Sequence, residues 1–389
     1  MTDISTTTTT AATFTTNRAP RQDYRASRQW MTRPEDERHV SLHAMYDRLQ
    51  DVKEHSKVGI FANREVTAVP DPKDPEHKGL RLAGPRGGLL DISNWSFGQL
   101  AKLGGAPAGY LRQLPAPLAA DCLNYGLKVE RAPEEVGLLM TRTESDPMPI
   151  LRAATGPAYG RIWNADVVKR LIDAFGDGIT GDFRVPGEFG KGVEVTKANT
   201  TLYASDRDMF VFLADEKNRI EVPNRRDGKP GSLAKGFYVW NSEVGDTTFG
   251  LGVFLFDFVC CNRIVWGQQD YQELKIVHRK TAPDRFLEEA APLLLTFAQQ
   301  GVTSADEAKI RAAIGRKVDA VDEFLRNRAG LSSTRAAAVM GAFEADEHRP
   351  MESLWDVATG LTAYARAVPY QDQRVELERL GGKIIDMAV

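Results

Sequence analysis

Hydrophobic positions change period along the chain. Val40, Leu42, Met45 and Leu49 recur at helical spacing behind Glu35, Asp36 and Glu37, which predicts a helix between Pro34 and Lys57. Pro- and Gly-dense stretches at 71–77 and 84–88 read as loops. The chain from Ile92 to Leu100 predicts a helix that breaks at Gly104-Gly105. Pro107 starts another carrying Tyr110, Leu111 and Leu114, and this small helical unit closes near Leu127.

From Val136 the period shortens. Val136–Thr141, Leu151–Ala154 and Tyr159–Ile162 read as strands, and Asn164 as the cap of a helix with Val167, Val168, Leu171, Ile172 and Phe175 on its inner face. Further strands are expected at Gly192–Thr196, Thr201–Ala204, Met209–Leu213, Gly236–Trp240 and within Thr247–Cys261, where β-branched and aromatic residues dominate. Beyond Pro283, Phe286, Leu287, Ala290, Leu293, Leu294 and Phe297 return to helical spacing, as do Ile310, Ile314, Val318, Val321 and Leu325. The expected fold is α+β: a central, mostly antiparallel sheet with a small N-terminal helical unit and a helical C-terminal region. Its divisions are a Thr-rich tail to residue 27, a helical and loop region at 28–130, a β-rich core at 131–282 and helices at 283–389.

Composition narrows the classes. The 389 residues are 42% hydrophobic and 26% charged, which excludes disordered and fibrous chains. A net charge of −3 excludes a uniformly basic nucleic-acid binder but allows a local basic surface. Cys122, Cys260 and Cys261 make neither a disulfide framework nor a Cys-x-x-Cys zinc spacing, so a reducing cytoplasm is expected and no metal or cofactor. The most apolar run, Phe249–Cys261, is broken by Asp257 and too short to span a bilayer, so no membrane association is expected.

Catalytic motifs are absent. The glycines at 84–88 and 187–192 lack phosphate-loop spacing, Ser242 has no nucleophile elbow, and His39 and His43 have no third ligand. The most distinctive segment is the turn Asn241-Ser242-Glu243-Val244-Gly245, followed by an apolar run, Cys261-Asn262 and Trp266-Gly267. With the flanking Phe97–Leu114 and Trp355–Ala363 helices, it resembles the signature of the DUF932 family of phage- and plasmid-like proteins, over residues 90 to 385. Val244-Gly245 stands where that family often has Asp-Gly, and Arg263 where it often has Gly. The resemblance implies a mobile-element protein working in a bacterial cytoplasm, and supplies fold markers without catalytic roles.

Local charge suggests the chemistry. Between 215 and 280 basic residues outnumber acidic ones and interleave with aromatics, the two ingredients of sequence-tolerant single-strand binding. Arg219, Arg225, Arg226, Lys229, Lys235, Arg263 and Lys275 are the candidate phosphate contacts, and Tyr238, Trp240 and Trp266 the candidate stacking rings. The expected activity is non-enzymatic binding or annealing of single-stranded DNA, with analogy to single-strand annealing recombinases, and a homo-oligomer is compatible with it. The alternative partner is a host protein, bound by an anti-defence module. A metal-dependent nuclease built on Asp206, Asp208 and Asp246 is a third reading.

Overall fold

The computed structural model describes residues 34–388 except 72, 74–78, 85–87, 130–131, 144–145, 186–193, 224, 226–227, 258–262, 265–273, 301–303 and 369–370. The fold is α+β, built on two sheets. Strands β1 (Arg38–His39), β9 (Leu202–Ala204), β10 (Met209–Val222), β11 (Gly231–Asn241), β12 (Phe249–Asp257) and β13 (Arg263–Ile264) follow one another across the first sheet; β8 (Phe183–Arg184) pairs with β10 and β14 (Leu274–Ile276) with β12. The second sheet runs β2 (Ser56–Ala62), β6 (Glu135–Thr143), β7 (Asp146–Thr155), β5 (Leu89–Ile92), β4 (Leu80–Ala83), β3 (Thr67–Pro70). All its pairs are antiparallel except β5 with β7.

Strands β10 and β11 are buried on both faces, which explains why they read as almost unbroken hydrophobic runs. One face packs Met209, Val211, Leu213, Phe237 and Val239 against α1 (Leu42–Glu54) and α5 (Asn164–Phe175). The other carries Tyr203, Phe210, Tyr238 and Trp240 as a ladder of stacked rings. Gly250 and Gly252 of β12 make room for it: a Cβ at Gly250 would lie 1.9 Å from the Trp240 ring, and one at Gly252 2.4 Å from that of Tyr238.

Helices α2 (Asn94–Leu103), α3 (Ala108–Leu111) and α4 (Ala116–Lys128) cover one face of the second sheet, with Phe97, Leu100, Leu111 and Leu123 inward. The C-terminal helices run from α6 (Ala282–Arg285), through a π segment at Phe286–Ala290, to α7 (Ala291–Gln300), α8 (Ser304–Gly315), α9 (Val321–Asn327), α10 (Ser333–Glu347), α11 (Leu354–Ala367) and α12 (Gln371–Asp386). The distal β10–β11 hairpin, past a register shift between Ala214 and Arg219, places Ile220, Val222 and Leu233 in the C-terminal helical core.

Several local expectations are corrected. Residues 28–130 contain strands β1–β5, so they are not only helices and loops, and the boundary drawn at 130 falls between β2 and β6, which pair over all seven residues of β2. Residues 35–39 are a 3-10 turn and β1, not the start of a helix, because Ser41 caps α1 by accepting the Ala44 N–H. Ile92 ends β5, and Ser93 caps α2. Tyr159–Ile162 pairs with no strand, Glu194–Thr196 lies outside any strand, and Trp163 rather than Asn164 occupies the α5 cap. Among the described residues no helix is long and apolar enough to cross a membrane.

Candidate functional site

The turn joining β11 to β12 docks the two sheets together. Asn241 Nδ2 donates to the Ile162 carbonyl at 2.8 Å and to Asn164 Oδ1 at 2.7 Å. Ser242 Oγ donates to the Arg207 carbonyl and accepts the Asp246 N–H, while its own carbonyl accepts from the Tyr159 hydroxyl at 2.9 Å. Glu243, 1% exposed, accepts the Asn164 N–H at 2.8 Å and an Arg152 Nη1 proton at 3.1 Å. Val244 packs with Leu139, Ala153, Trp95 and Trp163, and its carbonyl accepts from Trp95 Nε1 and Gln99 Nε2. Gly245 turns the chain at φ +79°, a backbone region that side chains rarely adopt. The most distinctive motif of the sequence is thus an internal clasp.

Beside the clasp lies a cleft of about 1130 Å³, lined by α2, the start of α3, the end of β7, Tyr159, Arg207 and Gly245. Lys102, Arg112 and Arg207 line it, and among the described residues no carboxylate does. Local structure explains each position. Helix α2 turns Phe97, Leu100 and Ala101 into the core and so presents Asn94, Trp95, Gln99 and Lys102 outward. Its C-terminus meets α4 backbone to backbone, since a Cβ at Gly126 would fall 2.2 Å from the Gly104 carbonyl oxygen. Arg207 sits on a tight turn in which Ser205 Oγ accepts the backbone N–H groups of Arg207 and Asp208.

Aromatic rings hold the arginines, and Asn94 also accepts from Arg112. Arg112 lies 5.0 Å over Phe97 and donates to the Asn94 carbonyl and Oδ1; Arg207 lies 5.5 Å over Trp95. Arg161, behind Tyr159, lies 5.1 Å over that ring and 5.8 Å over Trp163, and its buried Nε and Nη1 meet no acceptor. Burial, with Arg207 nearby, holds Arg112 below the usual guanidinium value; burial also lowers Arg161. The site draws together further shifted groups: burial raises the Tyr159 phenol, pushes Asp246 up to about 7 and lowers His278 to about 4. His278 stacks on Tyr159 at 5.0 Å, with its Nδ1 3.0 Å from the Gly160 carbonyl oxygen. Such an arrangement attracts an anionic ligand and offers planar guanidinium faces to its rings.

Of the residues expected from sequence, those that the structure describes do not line the cleft. Arg225 is 1% exposed, bound through Nε to both Glu347 oxygens at 3.0 and 3.1 Å and placed over Trp355; it is a structural ion pair, not a phosphate contact. Lys235 (4% exposed), Tyr238 and Trp240 sit in a strand covered on both faces, so they are removed from any surface. Arg219 is engaged by Glu216 at 2.8 Å. Lys229 is exposed on the β10–β11 connection and Lys275 on β14, both apart from the cleft lining. Arg226, Trp266 and the side chain of Arg263 lie outside the described residues, as do Cys260, Cys261 and the 187–192 glycines. Asp208 is fully buried and accepts from Ser205 Oγ, and among the described residues no three His, Cys, Asp or Glu side chains converge as metal ligands. The cleft residues escaped sequence reading because they come singly from separate segments. No family model, no curated protein and no solved structure matches this chain.

Proposed function

We propose that this is a single-stranded DNA-binding or annealing protein of a mobile element, and that it binds the strand in the cleft between α2 and the β11–β12 turn without catalysing a reaction. One observation carries the reading: Lys102, Arg112 and Arg207 face a common space that no carboxylate among the described residues lines, and both arginines rest on aromatic rings. Cations so placed neutralise phosphates with release of counterions, and guanidinium planes stack on unpaired bases. The resemblance of the Asn241–Gly245 segment to DUF932 proteins supports the mobile-element setting. Anisotropy of a labelled single-stranded oligonucleotide, titrated at about 50 and about 200 mM salt, tests this. Binding that weakens steeply with salt supports it, and no binding at the lower salt refutes it.

A host-protein partner is the second reading. Tyr110, Leu118 and Tyr125 are 58%, 49% and 73% exposed on α3 and α4, and Leu118 and Tyr125, seven residues apart, share one side of α4. Capture of a host protein that a Leu118→Lys, Tyr125→Lys variant no longer captures, with no affinity for oligonucleotides, would favour it.

A further inference from the structure

The edges of the two sheets are built differently. The first sheet ends in short strands, β1, β8 and β13 of two residues each and β14 of three. The second ends on one side in β3, four residues closed by Pro70. Its other edge, β2, has seven residues and no proline, and it pairs with β6 without a register shift from Ser56↔Thr141 to Ala62↔Glu135. Short strands, prolines, bulges and charges are the devices by which proteins keep edges from pairing, and β2 has only Lys57 among them. Val58 and Ile60 stand on one face at 53% and 55% exposure. On the opposite face the Phe61 ring folds back over Gly59, where a Cβ would lie 2.5 Å from it. Among the described residues no strand lies along the outer side of β2.

We propose that β2 is a dimerisation edge: two copies of this chain pair antiparallel about a two-fold axis at Gly59, joining their second sheets into one. A two-fold interface must be self-complementary, and centring on Gly59 is the register that pairs all seven residues. It sets Val58 against the partner's Ile60 and Ser56 against the partner's Ala62. Lys57 faces the partner's Phe61, so the only charge on the strand meets an aromatic ring and no second lysine. This inference is independent of the cleft.

Light scattering of the full chain tests it. The expected result is twice the 43.0 kDa chain mass, falling to the single mass in a Val58→Lys, Ile60→Lys variant that keeps the wild-type far-UV circular dichroism. The register is tested by mixing Val58→Cys with Ile60→Cys protein. Directly opposed residues lie about 4.5–5.5 Å apart, within disulfide reach, so the mixture should cross-link faster than either variant alone. A monomeric wild type, including one whose β2 edge takes a strand from a different protein, overturns the proposal. So does a dimer that survives the double lysine substitution.

Discussion

The Trp95 indole N–H donates a 3.0 Å hydrogen bond to the carbonyl of Val244, 149 residues away, and the same ring lies under the Arg207 guanidinium. One side chain therefore fastens α2 to the clasp and lies against a cation of the cleft. Trp95→Phe keeps a ring beneath Arg207 but removes the bond. It should cost about 1 kcal/mol in denaturant unfolding and leave most oligonucleotide affinity intact. Trp95→Ala removes both and should lower stability and affinity together.

Gly245 is held at φ +79° with Tyr159, Gln99 and Thr155 around the position a Cβ would take, the nearest atom at 3.4 Å. Gly245→Ala places a side chain in the left-handed region and should destabilise the protein by about 1–2 kcal/mol, read as a lower urea midpoint at constant slope.

Arg225 and Glu347 form a pair in which neither side chain reaches water. Removing one partner strands a buried charge, so Arg225→Met or Glu347→Leu alone should each cost about 3–5 kcal/mol. The double variant should recover most of that loss, because an apolar pair of similar volume restores the balance. Urea unfolding of the three variants checks it; additive losses would contradict the pairing.

Much of this architecture is legible in the sequence, and the failures have physical reasons. Phe237–Trp240 announces a strand because both faces of β11 are covered, and Val167, Val168 and Leu171 announce α5 because one face of that helix is buried. Strand β2 escapes because Lys57, Val58 and Ile60 are exposed and no alternation marks a buried face, while β3–β5 have four residues each, too few to establish a period. Charge density along the chain does not mark the cleft. Glu347, 122 residues from Arg225, desolvates and neutralises it, and no local pattern records that partner. The cleft cations stand apart at 102, 112 and 207: Arg112 is tied to α2 through Asn94, and Arg207 comes beside α2 with the docking of the β11–β12 turn, whose Ser242 holds the Arg207 carbonyl.

Stability should depend on pH with opposed contributions. Burial raises Asp246 from 3.8 to about 7, so between these values the folded protein holds a proton that the unfolded chain has released, and stability falls as pH rises. His39 and His278, lowered by burial from 6.5 to about 4, act the other way: the unfolded chain binds protons first, and stability falls as pH drops through that window. Asp246→Asn removes the first contribution alone. Its stability relative to wild type should therefore increase steadily from pH 4 to pH 7, and a constant difference would contradict the burial of this carboxyl group.

If the cleft, and not the basic hairpin between β10 and β11, holds the strand, then affinity rests on Arg112 and Arg207 and not on Lys229. The most direct measurement compares single-stranded oligonucleotide affinity for wild type, an Arg112→Glu, Arg207→Glu variant and a Lys229→Glu variant across the same salt series. The cleft variant should show a large loss and a salt slope shallower by about 2, with little change for Lys229→Glu. Unchanged affinity in the cleft variant, or a greater loss from Lys229→Glu, would contradict it.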